Sequence, residues 1–463
     1  METLARSANR GSVSTGYDID YSVKNEQDNS ERFQSTNLGT PSSTKIFTFS
    51  MWVKRTEIVN RHFLHKQSNT GISMDLAFAN DSSTQALFYI FQNSTTDAYG
   101  KTSALFRDTS AWYHIVWRVD TTQATAADRV RIYVNGVQQD LVSGNGSAST
   151  YPSQNYDVPL QTTHYLLGFD GSSGFCGYCS QYYYIDGQSL APTDFGEFDS
   201  ATGIWKPIEY TGTFGNAGYY LDFADASALG KDVSPNNKGN FSHYGGSSAD
   251  QATDTPTNNF ATLNPLVTYY GSATINEGAT KIQGTSTSSF ETVYSTIAVT
   301  SGKWYFEVVN LLGSTRNTNF GIVNLDTAVF DGTSYNSAGF WFGNMDTGAQ
   351  LYYYKNGVAA GNEYITFSQG DIIGLAFDAD NGTLDFYLNN SNQEQFTGIP
   401  SGTFAFLVEV QGTGAPYIQA NFGGYTTISI ASAASDANGY GTFEYAPPSG
   451  YYALCSKNLA EFG

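Results

Sequence analysis

Two stretches of this chain repeat one phrase: residues 129 to 136 read RVRIYVNG and residues 382 to 390 read GTLDFYLNN. In the first, Val130, Ile132 and Val134 alternate with Arg129, Arg131 and Tyr133; in the second, Leu384, Phe386 and Leu388 alternate with Thr383, Asp385 and Tyr387. A period of two puts each apolar set on one face of an extended chain, so both stretches are half-buried strands. Each then runs into residues that tolerate φ > 0, Asn135-Gly136 and Asn389-Asn390, which predicts a tight hairpin. The likeness continues upstream. WYHIVWRVD (112 to 120) places Tyr113, Ile115, Trp117 and Val119 on one face, and DIIGLAFDAD (371 to 380) does the same with Ile373, Leu375 and Phe377. Strand, acidic turn, strand and tight turn form a unit used twice, which predicts two related β-domains in tandem.

Composition agrees with sheets. The 463 residues suffice for two or three cores, and they are 15% aromatic but only 14% charged, with 47 Gly, 33 Tyr and 31 Phe. With 22 Lys+Arg against 42 Asp+Glu the net charge is −20, which makes nucleic acid and anionic bilayers poor partners. No apolar run reaches the length of a membrane span, so membrane insertion is not expected. The first residues lack the apolar core of a secretory signal, so a chain working outside a cell is expected to leave its host by lysis or inside an assembly. Three cysteines exclude a disulfide framework.

Turn-residue spacing divides the chain into a polar arm (1–20), a first sandwich (21–211), a loop-rich connector (212–265), a second sandwich (266–446) and a C-terminal tail (447–463). The arm and tail are expected to dock on neighbouring subunits, which implies a homo-oligomer.

FTFSMWVKR, WYHIVWRVD and RVRIYVNGVQ resemble the laminin-G-like or concanavalin A-like jelly roll. TSGKWYFEVV, GDIIGLAFDADNGTLDFYLNN and TFAFLVEVQG resemble a SPRY domain, itself a concanavalin A-like sandwich. Taken in order, GYDIDYSVK, YIDGQSLAPTDFGEFD, DTPTNNFATLNPL and APPSGYYALCSKNL resemble large structural proteins of tailed phages, especially those of marine bacteria. The resemblance implies an all-β fold of two concanavalin A-like jelly-roll sandwiches in tandem, the second SPRY-like. It also implies a virion protein on the particle exterior, made in the host cytoplasm and bound to other virion proteins and to a host-surface glycan. A purely architectural capsid or tail protein and a polysaccharide-degrading glycosidase are the competing readings.

Each site candidate has an ordinary alternative. Glucanases of this fold need paired carboxylates, and the nearest pair, Glu197 and Asp199, sits in a turn-rich segment without a third acid at the expected spacing. Asp378 and Asp380 offer oxygens to calcium, yet FDADNG is also what a hairpin turn requires; Asp120 occupies the equivalent turn of the first domain. No other cofactor is indicated. Cys176 and Cys179 have the spacing of half a zinc knuckle or a redox pair, but a zinc site would need His164 or His243 from elsewhere. His114 alternates with Val116 and Arg118 and reads as an outward strand residue rather than a base. No nucleophile elbow, P-loop or HExxH occurs, so the chain is expected not to be an enzyme. Aromatic rings stack on the apolar faces of sugars, which makes Tyr335, Trp341 and Tyr353 the glycan-binding candidates, with core packing as the alternative for each.

Overall fold

The computed structural model describes residues 16–463 except 28, 36, 59–61, 70, 79–84, 145–148, 170–173, 268–272, 287, 311–316, 329–338, 345–350, 356–357, 364–367 and 413–416. Two compact units divide between Thr257 and Asn258, and each is a two-sheet sandwich. Among the described residues no helix is long and apolar enough to cross a membrane.

In the first unit one sheet runs, in spatial order, Val137–Gln138, Val130–Val134, Trp112–Asp120, Ile46–Arg55, Gly177–Asp186, Ser22–Asn25 and Gln251–Ala252. The facing sheet runs Leu141–Ser143, Thr95–Thr102, Leu87–Asn93, Ile72–Phe78, His62–Asn69, Tyr165–Leu166, Arg32–Gln34 and Ser242–Tyr244. Phe47, Phe49, Met51 and Val53 point between the sheets and pack with Trp117, Phe91 and Tyr184. Their alternates Thr48, Ser50, Trp52 and Lys54 are buried as well, because this sheet is covered on its outer face. Phe195, Phe214 and Tyr210 cover Val116, Tyr183 and Ile185 there.

The second unit pairs a sheet ordered Thr274–Asn276, Lys281–Gln283, Tyr417–Asn421, Lys303–Asn310, Ile372–Asp378, Thr383–Leu388 and Ser391–Thr397 with another. That other sheet is ordered Glu291–Val299, Phe404–Gln411, Asn317–Asn324, Gly339–Asn344, Leu351–Lys355 and Val358–Glu363. Phe306 meets Phe406 across the core at 4.1 Å, and Phe342 meets Phe386 at 4.6 Å.

The repeated phrase is one hairpin built twice. Asn135 and Asn389 hold φ of 48° and 46°. The Asn135 Oδ1 accepts the His114 N–H at 2.7 Å, and the Asn389 Oδ1 accepts the Ile372 N–H at 3.0 Å. Asp120 and Asp378 each close the preceding turn by accepting backbone N–H groups two or three residues on.

The stretch expected to be a connector, 212–265, contributes strands to the first unit instead. Tyr219–Leu221 pairs with Gly177–Asp186, Ser242–Tyr244 with Arg32–Gln34, and Gln251–Ala252 with Ser22–Asn25. These strands are two or three residues long, too short for alternation to reveal them. Asp254 then takes the Lys54 ammonium at 2.7 Å and the Trp112 indole N–H at 3.0 Å. The C-terminal tail is likewise part of its unit: Tyr452–Ala453 pairs parallel with Trp304 and Tyr305, and the helix Ser456–Phe462 buries Leu459.

Candidate functional site

A cleft of about 640 Å³ opens on the first sandwich, lined by Asp97, Ala126, Arg129 and the segment Ser149 to Ser153 together with Tyr156. That volume falls within the range of small-molecule sites. The Thr95–Thr102 strand supplies Asp97, and the turn after the Trp112–Asp120 strand supplies Arg129. Loop 149–156 supplies the aromatics. It is stitched down at both ends, with the Tyr99 N–H on the Ser149 carbonyl at 2.9 Å and the Asn155 N–H on the Thr121 carbonyl at 2.8 Å. The Tyr89 hydroxyl donates to the Thr150 carbonyl from below.

Arg129 is fully committed to holding this wall. Its guanidinium donates to the carbonyls of Gln123, Ala124 and Pro152 at 2.9, 2.8 and 2.9 Å. Its charge therefore pins loops and does not point a free fork at a ligand. The Tyr156 hydroxyl donates to Asp97 Oδ2 at 2.8 Å; burial and the neighbouring Asp97 push that phenol above its ordinary pKa. Tyr151 is half-buried at the rim. The cleft thus offers one carboxylate, two phenols and exposed serine hydroxyls, a set suited to hydroxyl groups presented on an apolar ring.

Glycoside hydrolysis needs two carboxyl groups, one kept protonated. Of the residues lining the cleft only Asp97 is acidic. Glu197 and Asp199 lie on the hairpin formed by Gly196–Phe198 and Trp205–Pro207, where Lys206 reaches them at 3.2 and 3.4 Å. The Thr202 N–H and hydroxyl, the Ala201 N–H and Lys206 hold the Asp199 carboxyl below its ordinary value, opposite to what a general acid requires.

His114 faces away from the core, as its alternation predicts, yet it is 1% exposed because Trp205 covers it. The Trp205 indole donates to His114 Nδ1 at 2.9 Å, so in the neutral ring Nε2 carries the proton and donates to the Ser50 hydroxyl at 2.8 Å. In this arrangement Ser50 is an acceptor, so His114 does not serve it as a base.

The remaining predicted residues fall elsewhere. Tyr335 lies outside the described residues, as does the side chain of Tyr353, whose strand Leu351–Lys355 is described. Trp341 is not a surface ring: it is fully buried against Val323, Ala405 and Leu407, on the outer face of a covered sheet. Asp378 and Asp380 share one turn. Asp378 Oδ1 accepts the N–H groups of Asp380 and Asn381, while Oδ2 accepts the Asn381 amide at 2.8 Å and Lys303 at 2.8 Å. Burial alone would raise that carboxyl, but Lys303 and Asn381 outweigh it and hold it low. Asp380 accepts the Gly302 N–H at 3.0 Å. Lysine and amides thus partner three of the four carboxylate oxygens of this turn. Cys176 and Cys179 are both buried and unpaired to each other. Cys179 packs in the core and Cys176 meets Glu26.

Residues 27–159, which contain the whole cleft, match a family model described as the concanavalin A-like lectin/glucanases superfamily. No curated protein matches the chain. Among solved structures the chain is similar to the SPRY domain of human HERC1, at 16% identity with a TM-score of 0.28, covering 34% of this chain and 96% of that one. It is also similar to the TRIM65 PSpry domain, at 12% identity with a TM-score of 0.28, covering 35% of this chain and 88% of that one. The sandwich that carries the cleft is thus similar to domains of a superfamily that spans both sugar-binding and sugar-cleaving proteins.

Proposed function

We propose that the chain is a non-enzymatic structural protein on the exterior of a tailed-phage particle, a tail fibre, tail-associated or capsid decoration protein. It recognises a neutral host-surface glycan through the cleft of its first sandwich. The observation that carries this reading is the pairing of Tyr151 and Tyr156 with the single carboxylate Asp97 in one concave site of a lectin-like sandwich. The Tyr151 ring would take the apolar face of a sugar, and Asp97 would accept its hydroxyls while Tyr156 holds the carboxylate in place. A net charge of −20 favours neutral over anionic polysaccharide. The order of sequence motifs supports the virion setting, in which copies of the chain and other virion proteins are the further partners.

The test is titration of the purified full chain with polysaccharide from host cells, alongside competition with phage adsorption. Saturable binding that blocks adsorption is expected, and Asp97→Asn should weaken it about tenfold or more, the usual worth of a hydrogen bond to a charged group. Shortening of the polymer during the titration would move the protein to the glycosidases. Absence of binding by folded protein would make it architectural.

A further inference from the structure

The structure assigns a second site to the first sandwich: we propose that Cys176, His62 and Glu57, with Glu26 beside them, form a binding site for a divalent transition metal of the zinc type. A donor atom from each of the first three lies within 4.8 Å of the others. Glu26 Oε1 accepts the Cys176 thiol at 3.0 Å, which places a second carboxylate against the sulfur. A soft sulfur, an imidazole and carboxylates gathered at one corner are the ligand types zinc takes, and a thiolate donor disfavours calcium and magnesium.

The fold explains why these distant residues meet. Glu26 follows the Ser22–Asn25 strand, Glu57 follows Ile46–Arg55, Cys176 precedes Gly177–Asp186 and His62 opens His62–Asn69. The first three strands are neighbours in one sheet and the fourth belongs to the facing sheet, so four strand ends converge at one corner and an ion there would tie the sheets together. Glu26, His62 and Cys176 are buried, while Glu57 is half-buried and gives the corner a side open to solvent.

Charge also fits. Binding breaks the Cys176 S–H bond, forms a sulfur–metal bond and releases one proton to solvent. The thiolate and the Glu26 and Glu57 carboxylates then carry three negative charges. The metal supplies two positive charges, and the fully buried guanidinium of Arg55, at the end of the Ile46–Arg55 strand two residues before Glu57, supplies a third. The other cluster of ligand-type residues, Glu31, His243 and Asp250, is different: Lys24 already sits between its carboxylates at 2.8 and 2.9 Å.

The experiment is a cobalt titration of the full chain after chelator treatment, followed by absorbance. A near-ultraviolet sulfur-to-cobalt charge-transfer band with tetrahedral visible bands is expected, saturating at one ion per chain and displaced by zinc. Cys176→Ser should abolish the charge-transfer band. Glu57→Gln, a half-buried change that the fold should accept, should weaken cobalt binding about tenfold or more, since even outer-shell changes cost that much. A folded wild-type chain that develops no charge-transfer band, or a band that survives in Cys176→Ser, would overturn the proposal. Neither outcome bears on glycan binding, because the cleft is built from other residues.

Discussion

All five histidines of the chain lie in the first unit, whereas the second has none and buries Glu307 and Glu409 among neutral hydrogen-bond donors. In the first unit His65 and His164 sit between the sheets and share one amide. Gln67 Nε2 reaches His164 Nε2 at 2.6 Å and His65 Nε2 at 3.4 Å, while its Oε1 is held by the Gln161 N–H at 2.6 Å. The amide therefore cannot turn to welcome a proton on either ring. In the second unit Glu409 accepts Thr292 Oγ1 at 2.7 Å and Asn319 Nδ2 at 2.8 Å, and Glu307 accepts the N–H groups of Glu444 and Tyr445 at 2.9 Å each. Two sandwiches with the same hairpin thus bury different titratable groups, a histidine pair in the first and these carboxylates in the second, so the fold leaves the buried chemistry free to diverge.

The largest expected effect comes from a buried ion pair that closes the first unit. Lys54 and Asp254 are 0% and 1% exposed and 2.7 Å apart. Removing one partner of such a pair strands the other charge and typically costs about 3–5 kcal/mol. Lys54→Met should lower the stability of the first unit by that amount while leaving the second unit's core unchanged. Hydrogen exchange separates the two, through the Ile46–Arg55 and Ile372–Asp378 strands. Adding Asp254→Asn should recover part of the loss by removing the stranded charge; no recovery would mean that the lysine acts through packing alone.

Acid should divide the units next. Burial drives His114 and His164 down to about 3 and holds His65 well below its ordinary value. A depressed folded pKa gives stability that is complete above the unfolded value near 6.5 and is lost as pH falls below it. At pH 5 His114 and His164 should each cost about 2 kcal/mol, and His65 adds to the loss. Glu31, which burial pushes up to about 7 against the pull of Lys24, works in the opposite direction. On balance the first unit should lose stability. Burial raises Glu409 and Glu307 as well, so the second unit should gain stability as pH falls toward the ordinary carboxylate range. Parallel loss in both units on acidification, followed by exchange, would break the contrast.

Alternation places the long strands and their hairpins, because a sheet facing a core prints its period on the chain. What alternation does not carry is a second layer. Trp341 and His114 sit on outer faces, where a period of two predicts exposure, but Trp205 covers His114, and Leu325 and Ala328 pack against the Trp341 cluster. Those covers come from remote or irregular segments without a pattern of their own. The cleft was hidden for the same reason: Asp97, Arg129 and Tyr156 are joined by loops. The only local signal was the Ser/Tyr/Pro/Asn-rich run STYPSQNYD (149 to 157). CGYC drew attention to its two cysteines, although Cys176 is oriented toward acids far away in sequence.

The smallest effect tests what the units share. Asn135 and Asn389 both hold positive φ, a conformation that Asn tolerates and Ala resists, and both return a side-chain oxygen to the strand that begins their hairpin. Changing either to Ala forfeits one hydrogen bond and adds backbone strain, together about 1–2 kcal/mol. The two losses should be equal within error, each confined to its own unit in hydrogen exchange. Changing either to Gly keeps the backbone relaxed and loses only the hydrogen bond, so it should cost about half as much. Equal costs would establish the hairpin as a common device carried by both sandwiches. A loss at Asn135 much larger than at Asn389 would place the difference in the layer above His114, since Gly136 lies directly under Trp205 and has no counterpart in the Asn389-Asn390 turn.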